Sequence, residues 1–334
     1  MSGKILKLNQ NFPFPGKLAT KKEKSRQQAL WYKGVYEDGK LQLVWKVKDA
    51  YYSLSFYERA IEITHKNIKL LDDFIRLTET NYETGKGLQQ DVLKAQVESS
   101  KLRDRIYSYT QQRDRAVADL NSLTNQQLTF SAAELPEILP KALTKTLEEL
   151  QQSVEQNRPL MASYLALIEQ NKLQKKLAKL EFKPDFKLGA SYTFREPNFA
   201  DDGTDFAGIE FGINIPIFVA KRKGAVSEAE AAITMAMHQL DNFRNTAQLN
   251  IHDSFLKITK SVQQTELYKN GLIPQASQTF EAVLSGYQVG KIDFLALLDS
   301  LMTVYNYELE YYRGLIDGQR GFARLEAETG LNDL

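Results

Sequence analysis

The chain contains no cysteine, so disulfide staples, thiolate metal sites and a cysteine nucleophile are all excluded. Charge of either sign in excess is also missing. Against 43 Lys and Arg stand 42 Asp and Glu, a net charge of +1, and such a balance gives no bulk field to draw nucleic acid. No apolar run approaches the ~18 residues a spanning helix needs. The first residues, "MSGKILKLNQNFPFPGK", lack the charged-then-apolar order of a secretory leader, so if the mature protein is exported, its leader is absent from this sequence. Only three histidines occur, His65, His238 and His252, none at metal-ligand spacing from another. No set of nucleophile, base and oxyanion donors is recognisable, and neither a cofactor nor a metal site is expected.

What is present is an apolar fraction of 43%, ample for a core, and a repeated phrase. "YETGK" at Tyr82 to Lys86 has a near copy, "YQVGK", at Tyr287 to Lys291, 205 positions on. At the same offset Leu120 falls on Leu325 and Asn125 on Gly330; upstream, "NFPF" at Asn11 faces "NIPI" at Asn214 with an offset of 203. Each copy reads as a short alternating segment, a proline corner at Pro13 or Pro216, a helix of about 60 to 70 residues, the Tyr-x-x-Gly-Lys phrase, and a returning helix of about 35 to 40. The first outgoing helix, about Lys17 to Thr80, would be ~95 Å long at 1.5 Å per residue, far more than a compact domain uses. In the second returning helix, Phe294, Leu298, Leu301, Tyr305, Leu309, Tyr312 and Leu315 follow the mean step of a coiled-coil seam. Copy one has a looser version in Leu88, Val92, Ala95, Leu102, Ile106, Tyr109 and Leu120. Each copy is thus an antiparallel helical hairpin, with Gly85 or Gly290 permitting the reversal. Gly34 and Asp38-Gly39 are expected to weaken the first long helix, and Pro274 to bend the second.

Residues 1–130 are assigned to the first repeat, 131–159 to a connector with one short amphipathic helix, and 160–334 to the second repeat, which begins with a helix over about Leu160 to Phe182. Two segments then alternate with a period of two. "DFKLGASYTFRE" sets Phe186, Leu188, Ala190, Tyr192 and Phe194 against Lys187, Gly189, Ser191, Thr193 and Arg195. "FAGIEFGINIPI" sets Ala207, Ile209, Phe211, Ile213 and Ile215 against small or polar residues. Membrane barrel strands alternate in this way; so does a soluble hairpin with one buried face. Only three strand-like segments are visible, the third near Ile5 to Phe12, whereas the smallest barrels need ~8 strands. If these strands enter a bilayer, several chains must share one barrel. Compared with copy two, copy one is expected to lack its first helix and first strand.

In order and spacing, "FPFPGKL", "YYSLSFYERAI", "YETGKGLQQDVLKAQ", "NRPLMASYLALIEQNK", "KPDFKLGASYTF", "NIPIF" and "AVLSGYQVGKIDFLALLDSLMTVYNYELEYY" resemble the outer-membrane efflux protein family, the TolC-like channel-tunnels. The likeness runs from about Gln10 to Gly330, and Pro15-Gly16-Lys17 is most similar to the heavy-metal (Czc and Cus type) branch. The resemblance implies a mainly α fold with a small β part: long antiparallel coiled-coil hairpins in two repeats, plus membrane β-strands contributing to a trimeric twelve-stranded barrel. It implies a passive exit duct in the outer membrane of a Gram-negative bacterium, extending into the periplasm. Such a duct is completed by a periplasmic adaptor protein and an inner-membrane efflux transporter.

By the same resemblance Asp91 and Asp299 match carboxylates ringing the entrance, with Asp293 a substitute one turn earlier, while Ala296 and Ile292 stand where the family has an acidic and a basic residue. The bland alternative is that Asp91 decorates a helix start. Tyr82, Gly85, Tyr287 and Gly290 are assigned to tip geometry and adaptor docking. A drug-efflux or type I secretion channel is the alternative within the family; a soluble coiled-coil scaffold or periplasmic adaptor is the alternative outside it. "TGKG" and "VGKI" lack phosphate-loop spacing. Met235 with His238 is expected to be an ordinary helix face, and "DDGTD" at Asp201 to Asp205 an exposed turn rather than a calcium loop.

Overall fold

The computed structural model describes residues 3–127, 136–196 and 203–331. In order these form β1 (Gly3–Phe12), α1 (Lys17–Glu83), α2 (Gln89–Thr124), α3 (Leu147–Asn157), α4 (Pro159–Leu180), β2 (Asp185–Arg195), β3 (Phe206–Asn214) and α5 (Val219–Leu267). A π-helical turn (Tyr268–Leu272), α6 (Ile273–Gln288) and α7 (Phe294–Thr329) complete the chain. They divide into two compact units, Met1–Asp38 with Pro159–Asn245 and Gly39–Arg158 with Thr246–Leu334. Part of the connector, 131–135, lies outside the described residues.

The first unit holds an antiparallel sheet in the order β1-β2-β3. Phe12 pairs with Phe186 and Phe186 with Ile213, so the helical attachments of all three strands fall at one end. That end is pinned by Asp185, whose Oδ1 accepts from the Phe14 amide at 2.7 Å and from Lys17 Nζ at 2.8 Å. Lys17 is buried, and this clamp explains why a lysine follows the Pro15-Gly16 turn. Further along, Trp31, Tyr164 and Phe243 stack edge to face and tilted. The expected weak points do not interrupt α1, which runs unbroken through Gly34, Asp38 and Gly39. A Cβ at Gly34 would lie 1.9 Å from Ser163 Oγ and 2.8 Å from the Pro159 carbonyl, so this glycine lets α1 and α4 touch backbone to backbone.

In the second unit the core joins Ile68, Leu71 and Phe74 of α1, Ala95 and Leu102 of α2, and Phe294, Leu301, Tyr305 and Leu309 of α7. In the seam of α7, Phe294, Leu301, Tyr305, Leu309 and Leu315 are buried as read from the sequence, whereas Leu298 and Tyr312 are half-buried and Leu297 is fully buried in the first turn. Leu88 departs from its seam altogether and is exposed. A second stripe on α7, Gly314, Gly318 and Gly321, admits α5: a Cβ at Gly318 would meet Ser261 Oγ at 2.3 Å, and Ser261 donates to the Gly314 carbonyl at 2.6 Å. Pro274 sits in the first turn of α6, directly after the π-helical turn that absorbs the proline's missing donor. Helix α3 begins in a capping box, Thr146 with Glu149. It is tied to the end of α7 by the buried pair Arg158 and Glu328, where Arg324 and Asn250 also meet the Glu328 carboxylate.

Candidate functional site: the hairpin tips and the membrane sheet

Both Tyr-x-x-Gly-Lys phrases are the same helix stop. Gly85 and Gly290 are left-handed, at φ 69° and 70°. In the first, the Gly85 amide donates to Tyr82 O and the Lys86 amide to Asn81 O; in the second, Gly290 donates to Tyr287 O and Lys291 to Gly286 O. That pair of bonds, the outer spanning six residues and the inner four, is a Schellman cap. No heavy atom lies within 4 Å of a Cβ placed on either capping glycine, so dihedral freedom, not space, requires glycine there.

Around this shared turn the tips differ. Asn81 and Gly87 in the first correspond to Gly286 and Ile292 in the second. A Cβ on Gly87 would lie 3.0 Å from Asn81 Cβ, and one on Gly286 would lie 2.5 Å from Ile292 Cδ1. The same gap is filled from opposite sides, which accounts for an apolar Ile292 where the family resemblance implies a basic residue. The tyrosines also diverge. Tyr82 is 48% exposed, whereas Tyr287 is half-buried, packs edge to face on Phe294 with centroids 5.9 Å apart, and accepts a bond from Asn81 Nδ2 at 3.2 Å. That bond joins the two hairpins at their tips.

The three carboxylates stand in different settings. Asp293 is the N-cap of α7 and accepts from the Ala296 amide at 2.8 Å. Its counterpart in α2 is Leu88, which makes no side-chain cap bond. Asp91 is half-buried in the first turn of α2 and Asp299 is exposed in the second turn of α7; neither side chain is bonded or ion-paired among the described residues. Deeper in the bundle, the fully buried Tyr305 meets Thr64 Oγ1 at 3.0 Å. Burial, together with the neighbouring Tyr305, pushes the Tyr109 hydroxyl up to about 12.

The sheet is turned inside out relative to a soluble hairpin. One face carries Leu6, Leu8 and Phe12, then Leu188, Tyr192 and Phe194, then Ile209, Phe211 and Ile213, and all nine are exposed, Ile209 to 86%. The other face carries Lys187 paired with Glu210 at 3.0 Å, with Gly189 and Thr193 buried; Ile5 and Phe206 are its apolar exceptions. A contiguous exposed apolar face of this size marks an interaction surface, with lipid or with other protein. No helix of the described residues is long and apolar enough to cross a membrane. Asp205 closes the hairpin at the far end, accepting from the Arg195 amide at 2.8 Å and the Tyr192 hydroxyl at 3.1 Å, whereas Asp201 and Asp202 lie outside the described residues. Met235 and His238 are exposed on α5, with His238 Nδ1 3.8 Å from Asp241.

Comparison with known proteins agrees with this arrangement. The family model described as outer membrane efflux protein matches residues 3–126 and 150–330. Among solved structures, a membrane protein from Pseudomonas aeruginosa superposes with a TM-score of 0.83 at 17% identity, over 98% of this chain and 83% of that one. The outer membrane protein VceC from Vibrio cholerae gives 0.83 at 18% identity, over 98% and 79% of the two chains. CusC gives 0.82 at 16% identity, over 98% and 77%. No curated protein matches in sequence. With the family model matching most of this chain and the fold shared, this chain belongs to the outer membrane efflux proteins: a passive channel, not an enzyme, placed in the Gram-negative outer membrane and reaching into the periplasm.

Proposed function

We propose that this protein is the exit duct of a tripartite efflux pump that expels heavy-metal cations, taking them from an inner-membrane transporter through a periplasmic adaptor. Three copies close one barrel, and residues 1–130 and 160–334 act as two repeats joined by the connector 131–159. The observation that carries the reading is the sheet. Its apolar face is exposed and both β1 and β3 are open edges, an arrangement that lipid tolerates only when neighbouring copies pair those edges.

At the hairpin tips, Asp91 and Asp299 supply unpaired carboxylates to the entrance, and Asp293 adds the free oxygen of a capped one. Tyr82 offers an exposed ring to the adaptor, Gly85 and Gly290 hold the turns, and Tyr287 holds the two tips together through Asn81. The cation reading is supported by these acidic tips and by the Pro15-Gly16-Lys17 corner.

The test is tolerance. A strain deleted for the gene is expected to become sensitive to transition-metal salts, with rescue by the wild-type gene and weaker rescue by Asp91→Asn/Asp299→Asn. Unchanged metal tolerance with lost drug tolerance would replace the metal cargo by drugs; unchanged tolerance to both would refute the duct.

A further inference from the structure

Three helix ends meet at the attached end of the sheet, and they are strongly basic. Residues 17–24, 176–183 and 219–224 contain ten lysines and arginines against two carboxylates, Glu23 and Glu181, whereas the rest of the chain carries 33 lysines and arginines against 40 carboxylates. Their proximity is fixed by bonds: Lys17 Nζ lies 3.6 Å from Glu181 Oε1, Arg222 Nε donates to the Glu181 carbonyl at 2.7 Å, and Lys24 donates to Gln174 at 2.8 Å. Those contacts use Lys17, Lys24 and Arg222. The rest are left over. Lys21, Lys22, Lys176, Lys179, Lys183, Lys221 and Lys223 are exposed and none forms a salt bridge among the described residues, though Lys21 and Lys22 act at longer range on Asp185 and Glu23. Lys179 points away from the buried Leu177 and Ala178 of α4, and Lys183 stands two residues before β2. Lys221 and Lys223 follow the last residue of β3 by seven and nine positions.

Two features therefore adjoin along the same chain segments: an exposed apolar sheet, and a collar of exposed lysines that outnumber the carboxylates where its strands leave for the helices. Clustered like charges repel one another and destabilise a compact state, a cost that a bound external anion would relieve. At a bilayer surface that anion is the phosphodiester of an acidic headgroup, and a lysine's alkyl stem can lie along the apolar boundary while its ammonium reaches the phosphate. We propose that this collar binds anionic phospholipid headgroups of the leaflet that the attached end of the sheet enters. The lysines thereby set the depth at which the sheet sits. This reading rests on insertion of the sheet in a membrane.

The test uses the protein reconstituted in nanodiscs of phosphatidylethanolamine with and without phosphatidylglycerol, followed by native mass spectrometry of retained lipid. Wild type is expected to retain phosphatidylglycerol over phosphatidylethanolamine. The variant Lys179→Gln/Lys183→Gln/Lys221→Gln/Lys223→Gln should lose that preference by about fivefold for each lysine neutralised. Arginine at the same four positions should keep it, as should glutamine at the exposed Lys94, Lys257, Lys260 and Lys269, which lie elsewhere. Should the quadruple variant fail to fold, Lys21→Gln/Lys22→Gln gives the same readout with a smaller loss.

Equal retention by wild type and variant would overturn the proposal. So would displacement of phosphatidylglycerol by inorganic phosphate alone, which would mark a free-phosphate site. A third contrary result is a change in anion selectivity across planar bilayers with lipid preference intact, which would put the lysines on the duct wall. Failure of wild type to enter any nanodisc would instead refute insertion itself, a result distinguishable from all three.

Discussion

Gly286→Ala tests the complementary filling of the two tips. The new methyl would start 2.5 Å from Ile292 Cδ1 and 2.8 Å from Cγ1, with Ile292 Cβ at 3.5 Å, so Ile292 must leave its position. Overpacking of this kind costs about 1 to 3 kcal/mol. Against it stands the intrinsic gain of replacing a helical glycine by alanine, about 1 kcal/mol, since Gly286 lies within α6. In the native background the substitution should be net neutral to destabilising by up to about 2 kcal/mol. With Ile292→Ala already present the obstruction is gone and the helix gain remains, so the same change should stabilise by about 1 kcal/mol. Amide hydrogen exchange at Lys291, whose N–H is bonded to Gly286 O at 2.9 Å, reads the local effect without requiring global unfolding. The refuting result is equal effects in the two backgrounds, within the roughly 0.3 to 0.5 kcal/mol of independent sites. Gly87→Ala is a contrast: its obstruction includes the Asn81 carbonyl carbon and the Tyr82 nitrogen at 3.3 Å, so trimming the Asn81 side chain should give only partial relief.

Other consequences are equally direct. On the exposed sheet face Ile209→Lys should destabilise the inserted protein by about 2 to 4 kcal/mol, whereas Ser191→Glu on the opposite face should be tolerated; unfolding in lipid vesicles distinguishes them. Glu328→Leu strands Arg158, whose side chain is 4% exposed, without its carboxylate, and should cost about 3 to 5 kcal/mol in chemical denaturation. At Glu149 the bond from the Thr146 backbone amide holds the carboxyl below its ordinary range. A depressed acid contributes stability that is fully present above its unfolded pKa and is lost as pH falls through the folded value. Exchange protection at the start of α3 should therefore fall on acidification, and Glu149→Gln should flatten that dependence.

Much of this was legible in the sequence because the signals are periodic. The strands alternate with period two, and Leu301, Tyr305 and Leu309 keep the coiled-coil step, so their burial follows from spacing alone. The reversal at Gly85 and Gly290 was legible too, since a helix that stops in a left-handed residue mostly does so at glycine, more rarely at asparagine, as at Asn125. Glycine that serves packing was not legible. Gly34 reads as a weak point in a helix, and Gly314, Gly318 and Gly321 give no signal, because their purpose resides in the partners Ser163, Ser261 and Ile258, distant in sequence. Tyr82 and Tyr287 read as twins, yet Tyr287 is held by Asn81 and Phe294, whose counterparts in the opposite tips are Gly286 and Gln89. The Lys17–Asp185 clamp and the Arg158–Glu328 pair join positions 168 and 170 residues apart, beyond the reach of any local pattern.

The most direct measurement of the central claim is conductance of the purified protein in a planar bilayer. A duct predicts discrete, long-lived steps, favouring cations over anions, with the cation preference reduced in Asp91→Asn/Asp299→Asn. Folded protein that produces no steps at any voltage would contradict it.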